Sequence, residues 1–355
     1  MVAGEYAVLE PNYPLIVTAV DRFVYAIIKE SNQNFLTLKD FGLRNIRWDY
    51  DHNELYIRSD DERIKFVKSA LKVTLHYLQE RQIKLPPVSL QIHSNLDDAS
   101  GIKYGLGSSA AVVTAVVASI LWKCFQEPPS KALIFKLASI AHVTTQGNGS
   151  GADIAASCYG GFLKYTSFQA NWLITEYENM SSIRTLVEKD WPYLSIEKFT
   201  LPKSIYFYVG WTGKAASTAK LVDEILKLKS KNLGFYQTFL EKSEKAVQLI
   251  FHGLKNRDTS SLLKGIEINR RCLKELGAIA NVDIETDKLK ILSEIAKQYG
   301  AAGKPSGAGG GDCGIAFATS NQMGKNLVQA WETAGIKPLN IQSTTEGAQR
   351  IEYLA

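Results

Sequence analysis

The chain has 355 residues and a formal net charge of +5, with 45% apolar and 22% charged residues. This length is typical of two domains, and the composition excludes a disordered chain. No apolar stretch approaches the roughly 18 to 20 residues of a membrane-spanning helix, and acidic residues are mixed with the basic ones throughout. We therefore expect a globular protein that binds neither membranes nor nucleic acid.

Four cysteines and five histidines are scattered along the chain without a CxxC pair. This spacing argues against a disulfide framework and against a zinc site. The first residues, MVAGEYAVLEPNYP, carry two glutamates and no basic region, so they do not resemble a secretory signal. The expected location is the cytoplasm.

The first half of the sequence mixes strand and helix patterns. Residues 60–82 place apolar side chains at helical spacing after an acidic start, whereas residues 88–95 alternate as a strand. The early strands are expected to pair antiparallel. The other predicted elements are short strands within 15–30 and 35–59, apolar helices at 109–125 and 130–146, and a helical turn and strand in IAASCYGGFLKYTSF.

The composition changes near residues 191–204, where we place a domain boundary between 1–198 and 199–355. Strands and helices follow in mixed order on both sides, so the expected fold class is α+β with two domains. The elements predicted beyond the boundary are a strand IYFYVGW, four helices within 215–299, a strand DCGIAFA, a helix at 321–335 and a strand IKPLNIQ.

The stretch KYGLGSSAAVV, residues 103–113, is a candidate anion-binding loop. Glycines before a helix free its N–H groups, which together bind phosphate. The Walker pattern is absent, and the dinucleotide pattern is matched only loosely because no strand runs directly into the loop. The alternative is a tight turn that merely enters a core helix.

Two further loops are candidates for chemistry. SGAGGGDCGIAF, residues 306–317, joins glycines directly to an apolar strand, which favours a positioned loop, with a flexible linker as the alternative. NGSGAD places Asp153 at the start of an apolar segment, where it either caps a helix or orients an acceptor oxygen for phosphoryl transfer. Glu5 and Tyr6 in GEYAVLEP are not distinctive by spacing alone.

Taken in order, GEY, GLGSSAA and SGAGGGDCG resemble the three motifs of the GHMP kinases, over essentially the whole chain. The stretches SNLDD, GADIAASCYGGFLKY and VGWTG are most similar to the bacterial phosphomevalonate kinases within that family. The resemblance implies an N-terminal domain like domain 2 of ribosomal protein S5, a ferredoxin-like C-terminal domain, and an active site in the cleft between them.

The resemblance also implies roles for single residues. The GLGSSAA loop would wrap the ATP phosphates, Ser109 would bind Mg²⁺, and Asp153 would be the catalytic aspartate. Lys103 would add positive charge at the transferred phosphoryl group. The implied nucleotide contacts are Gly105, Leu106, Gly107, Ser108, Ser109 and Ala110, with Asn95 and Asp97 beside them. The implied substrate contacts are Glu5, Tyr6, Ser150, Gly151, Ser217, Gly309 and Gly310.

The reaction implied is phosphoryl transfer from ATP to 5-phosphomevalonate, with ATP and Mg²⁺ as cofactors and small molecules as the binding partners of a monomer or homodimer. Mevalonate kinase is the alternative within the family. A sensor that binds ATP and a metabolite without transfer is the alternative from another class, and a dinucleotide-dependent oxidoreductase is a more distant one.

Two departures from the family pattern stand out. Relatives carry PGK in a strand before the glutamate motif, whereas this sequence begins MVAGEYAV. One hypothesis is that Met1 is an internal methionine of a longer chain, and the other is a genuine truncation. Several relatives also supply a glutamate to Mg²⁺ from the helix before the aspartate, and ASIAHVTTQ contains none.

Overall fold

The computed structural model describes residues 1–96, 104–214 and 218–351. The strands in chain order are β1 (Pro14–Thr18), β2 (Val24–Glu30), β3 (Phe35–Leu38), β4 (Leu43–Asp51), β5 (Glu54–Ile57), β6 (Val88–Ser94), β7 (Phe162–Thr166), β8 (Ser195–Phe199), β9 (Tyr206–Trp211), β10 (Ala302–Pro305), β11 (Cys313–Ala318) and β12 (Lys337–Leu339).

The α-helices in chain order are α1 (Lys65–Glu80), α2 (Ser108–Cys124), α3 (Lys131–Gln146), α4 (Ala152–Tyr159), α5 (Ala170–Asn179), α6 (Ile183–Glu188), α7 (Thr218–Lys231), α8 (Leu233–Asn256), α9 (Thr259–Ala280), α10 (Asp287–Gln298) and α11 (Asn321–Thr333). Four of them, α7 to α10, are the four helices predicted within 215–299.

The strands form three sheets. A five-stranded sheet has the order β2-β6-β3-β4-β5, a three-stranded sheet the order β1-β7-β8, and a four-stranded sheet the order β10-β11-β9-β12. The expectation of antiparallel early strands is wrong at one place, because β3 pairs parallel with β6. The chain leaves the three-stranded sheet at Phe199 and enters the four-stranded sheet at Tyr206, and the α+β prediction is confirmed.

The core of the first half lies between the sheets and helices α1 to α4. Helix α2 is apolar on nearly every face, and Val113, Val117 and Leu121 are fully buried. A helix of this kind is stable only when other elements cover it, and α1, α3, α4 and β2 all contact it. The predicted core helices are therefore confirmed.

A second apolar cluster joins the two halves of the molecule. Val2 and Ile16 from the first residues pack in it with Val209 of β9 and with Ile315 and Phe317 of β11. All five side chains are at most 4% exposed. The N-terminal segment thus forms the seam between the three-stranded and four-stranded sheets.

Two general expectations concern membranes and cysteines. In the described ranges, no helix is both long enough and apolar enough to cross a membrane. All four cysteines are free. The cytoplasmic location stays a prediction.

Candidate active site

A glycine turn precedes helix α2. Gly105 and Gly107 have φ angles of +75° and +79°, and Gly107 is the N-cap of the helix. The Ala111 N–H donates to the Gly107 carbonyl at 3.1 Å. The N–H groups that precede this bond have no carbonyl partner within the helix. This end of α2 therefore offers several donors, and the positive end of the helix dipole, to an anion.

Two aspartates approach this turn from different segments. A Cβ atom on Gly107 would lie 3.3 Å from the Cβ of Asp153, and one on Gly105 would lie 2.6 Å from the Asp312 carboxyl group. Both carboxylates line the same cleft as the turn. Asp312 is not among the predicted site residues, although its position inside the SGAGGGDCG motif is a signal for it.

Asp153 lies in the first turn of α4 and is half-buried. The N-cap of α4 is Gly151, at a φ of +74°, so the alternative in which Asp153 caps the helix is wrong. The Asp153 Oδ1 accepts the Ile154 N–H at 3.1 Å. This bond fixes the carboxylate at the cleft surface, beside the turn that contains Gly107.

Ser109 lies in the first turn of α2, and its hydroxyl contacts a buried histidine of α3. The distance from Ser109 Oγ to His142 Nε2 is 2.9 Å, and the His142 ring stacks on Phe66 with 5.0 Å between centroids. Burial lowers the pKa of His142, and the Asp153 charge opposes this shift. No sequence motif marks His142 as a site residue.

The second glycine loop, residues 306–311, is fixed by backbone hydrogen bonds. The Ser306 N–H donates to the Cys313 carbonyl at 3.0 Å, and the Gly310 N–H donates to the Ile284 carbonyl at 2.9 Å. The linker alternative is therefore wrong. Gly309 is buried against Ile284, whereas Ser306 lines the cleft.

Glu5 and Tyr6 lie beneath that loop. Glu5 is 1% exposed and pairs with Lys304 of β10, which is fully buried, at 2.6 Å. Burial lowers the pKa of Lys304, and the Glu5 carboxylate raises it in opposition. The Tyr6 hydroxyl donates to the Ala308 carbonyl at 2.6 Å. The N-terminal segment thereby packs against the glycine loop and holds it in place through Tyr6 and the Glu5–Lys304 pair.

Ser150 and Gly151 support the other side of the cleft. The Ser150 carbonyl accepts hydrogen bonds from Tyr165 at 2.5 Å and from Ser167 at 3.0 Å. A Cβ on Gly151 would lie 2.6 Å from the Phe168 ring. Both residues are buried in this packing and fix the start of α4.

The cleft itself measures about 1280 Å³ and runs between the five-stranded and four-stranded sheets. The predicted residues that line it are Gly105, Leu106, Gly107, Ser108, Ser109 and Asp153. Asn95 is exposed after β6, and its N–H donates to the Phe23 carbonyl at 3.0 Å. Lys103, Asp97 and Ser217 lie outside the described residues.

Comparison with protein families identifies two matches. Residues 65–161 match the model of the GHMP kinases N terminal domain, and residues 250–337 match the GHMP kinases C terminal model. The first match includes the turn at Gly105, Ser109, His142 and Asp153. The second includes the glycine loop and Asp312.

Individual relatives match over nearly the full length. A phosphomevalonate kinase from Streptomyces sp. is 34% identical, with 98% of this chain and 95% of the relative covered. A crystal structure of a Listeria innocua protein has a TM-score of 0.90 at 39% identity, covering 98% of this chain and 97% of that one. The Streptococcus pneumoniae phosphomevalonate kinase in complex with phosphomevalonate and AMPPNP has a TM-score of 0.83 at 28% identity, covering 96% of each chain.

Proposed function

This chain belongs to the GHMP kinase family, and on that premise we propose that it acts as a phosphomevalonate kinase. An oxygen of the 5-phosphate of phosphomevalonate attacks the γ-phosphorus of ATP. The bond from that phosphorus to the β-phosphate oxygen breaks, and ADP leaves with the electron pair. The products are 5-diphosphomevalonate and ADP.

The observation that carries the phosphoryl-transfer part of this proposal is the placement of Asp153 against the glycine turn. An Asp153 carboxylate within van der Waals range of the Gly107 position puts an acceptor-orienting group beside a helix N-terminus suited to phosphate. Phosphoryl transfer depends chiefly on such positioning and on charge stabilisation. The choice of acceptor is supported by full-length similarity to the Streptomyces enzyme.

The ATP phosphates bind, in this proposal, at the N-terminus of α2. The positive φ angles of Gly105 and Gly107 turn the backbone so that it presents N–H groups. The absence of Cβ atoms there leaves room for the carboxylates of Asp312 and Asp153. Lys103, two residues before the turn, supplies positive charge for the transferred group. We retain Asn95 and Asp97 as proposed nucleotide contacts and Ser217 as a proposed substrate contact.

Mg²⁺ fits the donor set at this turn. The Ser109 hydroxyl is a hard oxygen donor of the kind that Mg²⁺ prefers, and Ser109 lines the cleft. Across the described ranges, no group of three or more His, Cys, Asp or Glu side chains is arranged to hold a metal. A Mg²⁺ ion at Ser109 would therefore take phosphate oxygens and water as its other ligands, and it would neutralise charge as the phosphates approach.

Asp153 is proposed to orient the acceptor and balance charge, because the acceptor phosphate is already ionised near neutral pH. We predict that Asp153→Asn lowers kcat by less than about a hundredfold, since a residue essential as general base contributes about a hundred- to ten-thousandfold. Initial rates of ADP formation at saturating substrates measure this. Loss of all turnover, with ATP affinity unchanged, would contradict this limited role of the carboxylate.

The product identifies the reaction. We expect ³¹P NMR of a reaction with ATP, Mg²⁺ and 5-phosphomevalonate to show a new diphosphate on the acceptor, formed in equal amount with ADP. A phosphate monoester formed from mevalonate would favour mevalonate kinase. Binding of both ligands without ADP formation would favour the sensor alternative.

A further inference from the structure

His142 is the one buried histidine whose contact reaches the proposed nucleotide turn among the described residues. It is 3% exposed, lies in the C-terminal half of α3, and places Nε2 at 2.9 Å from the Ser109 hydroxyl. Its ring face is covered by Phe66 at an interplanar angle of 22°. A buried imidazole held on one face and bonded at its edge has a single orientation.

The chemistry of the pair depends on which group donates. A serine hydroxyl has one proton and two lone pairs. If the Ser109 hydroxyl donates the hydrogen bond to Nε2, both lone pairs of Ser109 Oγ stay available to a cation at the turn. If Nε2 donated instead, the serine proton would point away from the ring and occupy the side on which a cation would bind.

We propose that His142 is a positioning residue. Its Nε2 accepts a hydrogen bond from the Ser109 hydroxyl and so directs the lone pairs of Ser109 Oγ toward a Mg²⁺–nucleotide complex at the turn. This inference rests on the proposed function, because it assigns His142 a part in the same site. It also accounts for the missing acidic group in ASIAHVTTQ: this helix contributes an imidazole that acts through Ser109.

A hydrolase-type triad is a poorer description of Ser109, His142 and Asp153. A triad needs its carboxylate bonded to the second ring nitrogen. The hydrogen bond that the Asp153 carboxylate accepts comes from the Ile154 backbone. Asp153 acts on His142 through its charge, which opposes the lowering of the His142 pKa by burial.

Two substitutions distinguish the contribution of the hydrogen-bonding nitrogen of His142 from that of its ring packing. His142→Phe keeps a ring that can stack on Phe66 but removes the acceptor, whereas His142→Gln keeps an amide oxygen as acceptor and removes the ring. We expect His142→Phe to weaken the Mg²⁺-dependent part of AMPPNP binding about tenfold, as supporting residues of metal ligands do. His142→Gln is expected to restore most of that loss.

Isothermal titration calorimetry with AMPPNP, in the presence of Mg²⁺ and in the presence of EDTA, measures the nucleotide affinity without turnover. Affinity in EDTA should be the same in the wild type and in His142→Phe. The packing control is Phe66→Leu, which is expected to lower Tm while leaving the Mg²⁺ effect intact. In a Ser109→Ala background, His142→Phe should not weaken Mg²⁺-dependent AMPPNP binding any further, because its effect depends on the Ser109 hydroxyl.

The outcomes separate the two proposals. If Mg²⁺ tightens AMPPNP binding to the wild type and to His142→Phe by the same factor, the role of His142 is overturned and the kinase proposal stands. Equal weakening in Mg²⁺ and in EDTA, together with a lowered Tm, would also overturn it, as a purely structural effect. If the wild type binds no AMPPNP under either condition, the kinase proposal itself fails.

Discussion

Lys304 shows how a single residue ties the first residues of the chain to the cleft. Its ammonium group is fully buried and bonds to Glu5 Oε1 and to the adjacent Pro305 carbonyl. The other carboxylate oxygen, Glu5 Oε2, has no hydrogen-bond partner within the described residues. A buried ion pair of this kind is costly to break on one side, because the remaining charge stays in an apolar setting.

We predict that Lys304→Met lowers the free energy of unfolding by about 3–5 kcal/mol, because Glu5 is left as an unpaired buried charge. The double variant with Glu5→Gln should recover part of this loss. The matched control is Lys297→Met, whose ion pair with Glu267 is exposed and should contribute less than about 1 kcal/mol. Urea unfolding measures all three, and equal losses for both lysines would contradict the account.

The sequence predicted some site residues and not others for a physical reason. Asp153, Ser109 and the glycines belong to short contiguous stretches that resemble the GHMP kinase motifs, and the resemblance assigns their roles. His142 and Lys304 act through partners 33 and 299 residues away in the chain. A lone histidine or lysine carries no local signal, so tertiary packing alone reveals these contacts.

At the scale of elements, the glycine loop at 306–311 depends on close backbone packing. Gly309 has a φ of +76°, and a Cβ there would collide with the backbone oxygen of Ile284. Gly307 has a similar φ of +73°, but its Cβ would have nothing within 4 Å. An alanine at either position would therefore have the strain of a left-handed backbone, but only an alanine at 309 would also collide with a neighbour.

We predict that Gly307→Ala costs about 1–2 kcal/mol of stability, which is the left-handed penalty alone. Gly309→Ala should cost more and lower kcat/KM, because the loop must leave Ile284. Thermal unfolding and initial rates measure the pair. Equal Tm and kcat/KM values for the two variants would show that the contact with Ile284 does not fix the loop.

Elements with strong periodicity were predictable, and those without it were not. Helices α1 and α8 to α10 follow apolar spacing in the sequence, and α2 and α3 are long apolar runs. Strand β10 was missed, because AGKP contains glycine, lysine and proline, which strands usually avoid. It forms because β11 pairs with it and because Glu5 pairs with its lysine. Helices α5 and α6 and strand β8, between Thr166 and the predicted boundary, were missed as well.

At the scale of the whole molecule, the seam formed by the N-terminal segment joins the two halves. Ile16 of β1 and Phe162 of β7 pack in the same cluster as Val209 and Phe317 of the four-stranded sheet. The proposed division into 1–198 and 199–355 would cut through this cluster. Each half would then expose apolar surface that the whole chain buries.

We predict that the whole chain unfolds in one cooperative transition and that residues 1–198 expressed alone bind the dye ANS, because the seam is uncovered. Calorimetry of the whole chain and ANS fluorescence of the fragment measure this. Two separate transitions, with a fragment that binds no dye, would show that the halves are independent.

The proposed function requires a phosphorylated acceptor as the substrate. The most direct test is ADP release by the chain with Mg²⁺ and ATP, with 5-phosphomevalonate and mevalonate offered in parallel. We predict rapid ADP formation with 5-phosphomevalonate and background rates with mevalonate. Preferential turnover of mevalonate, or ADP formation with neither acceptor, would contradict the account.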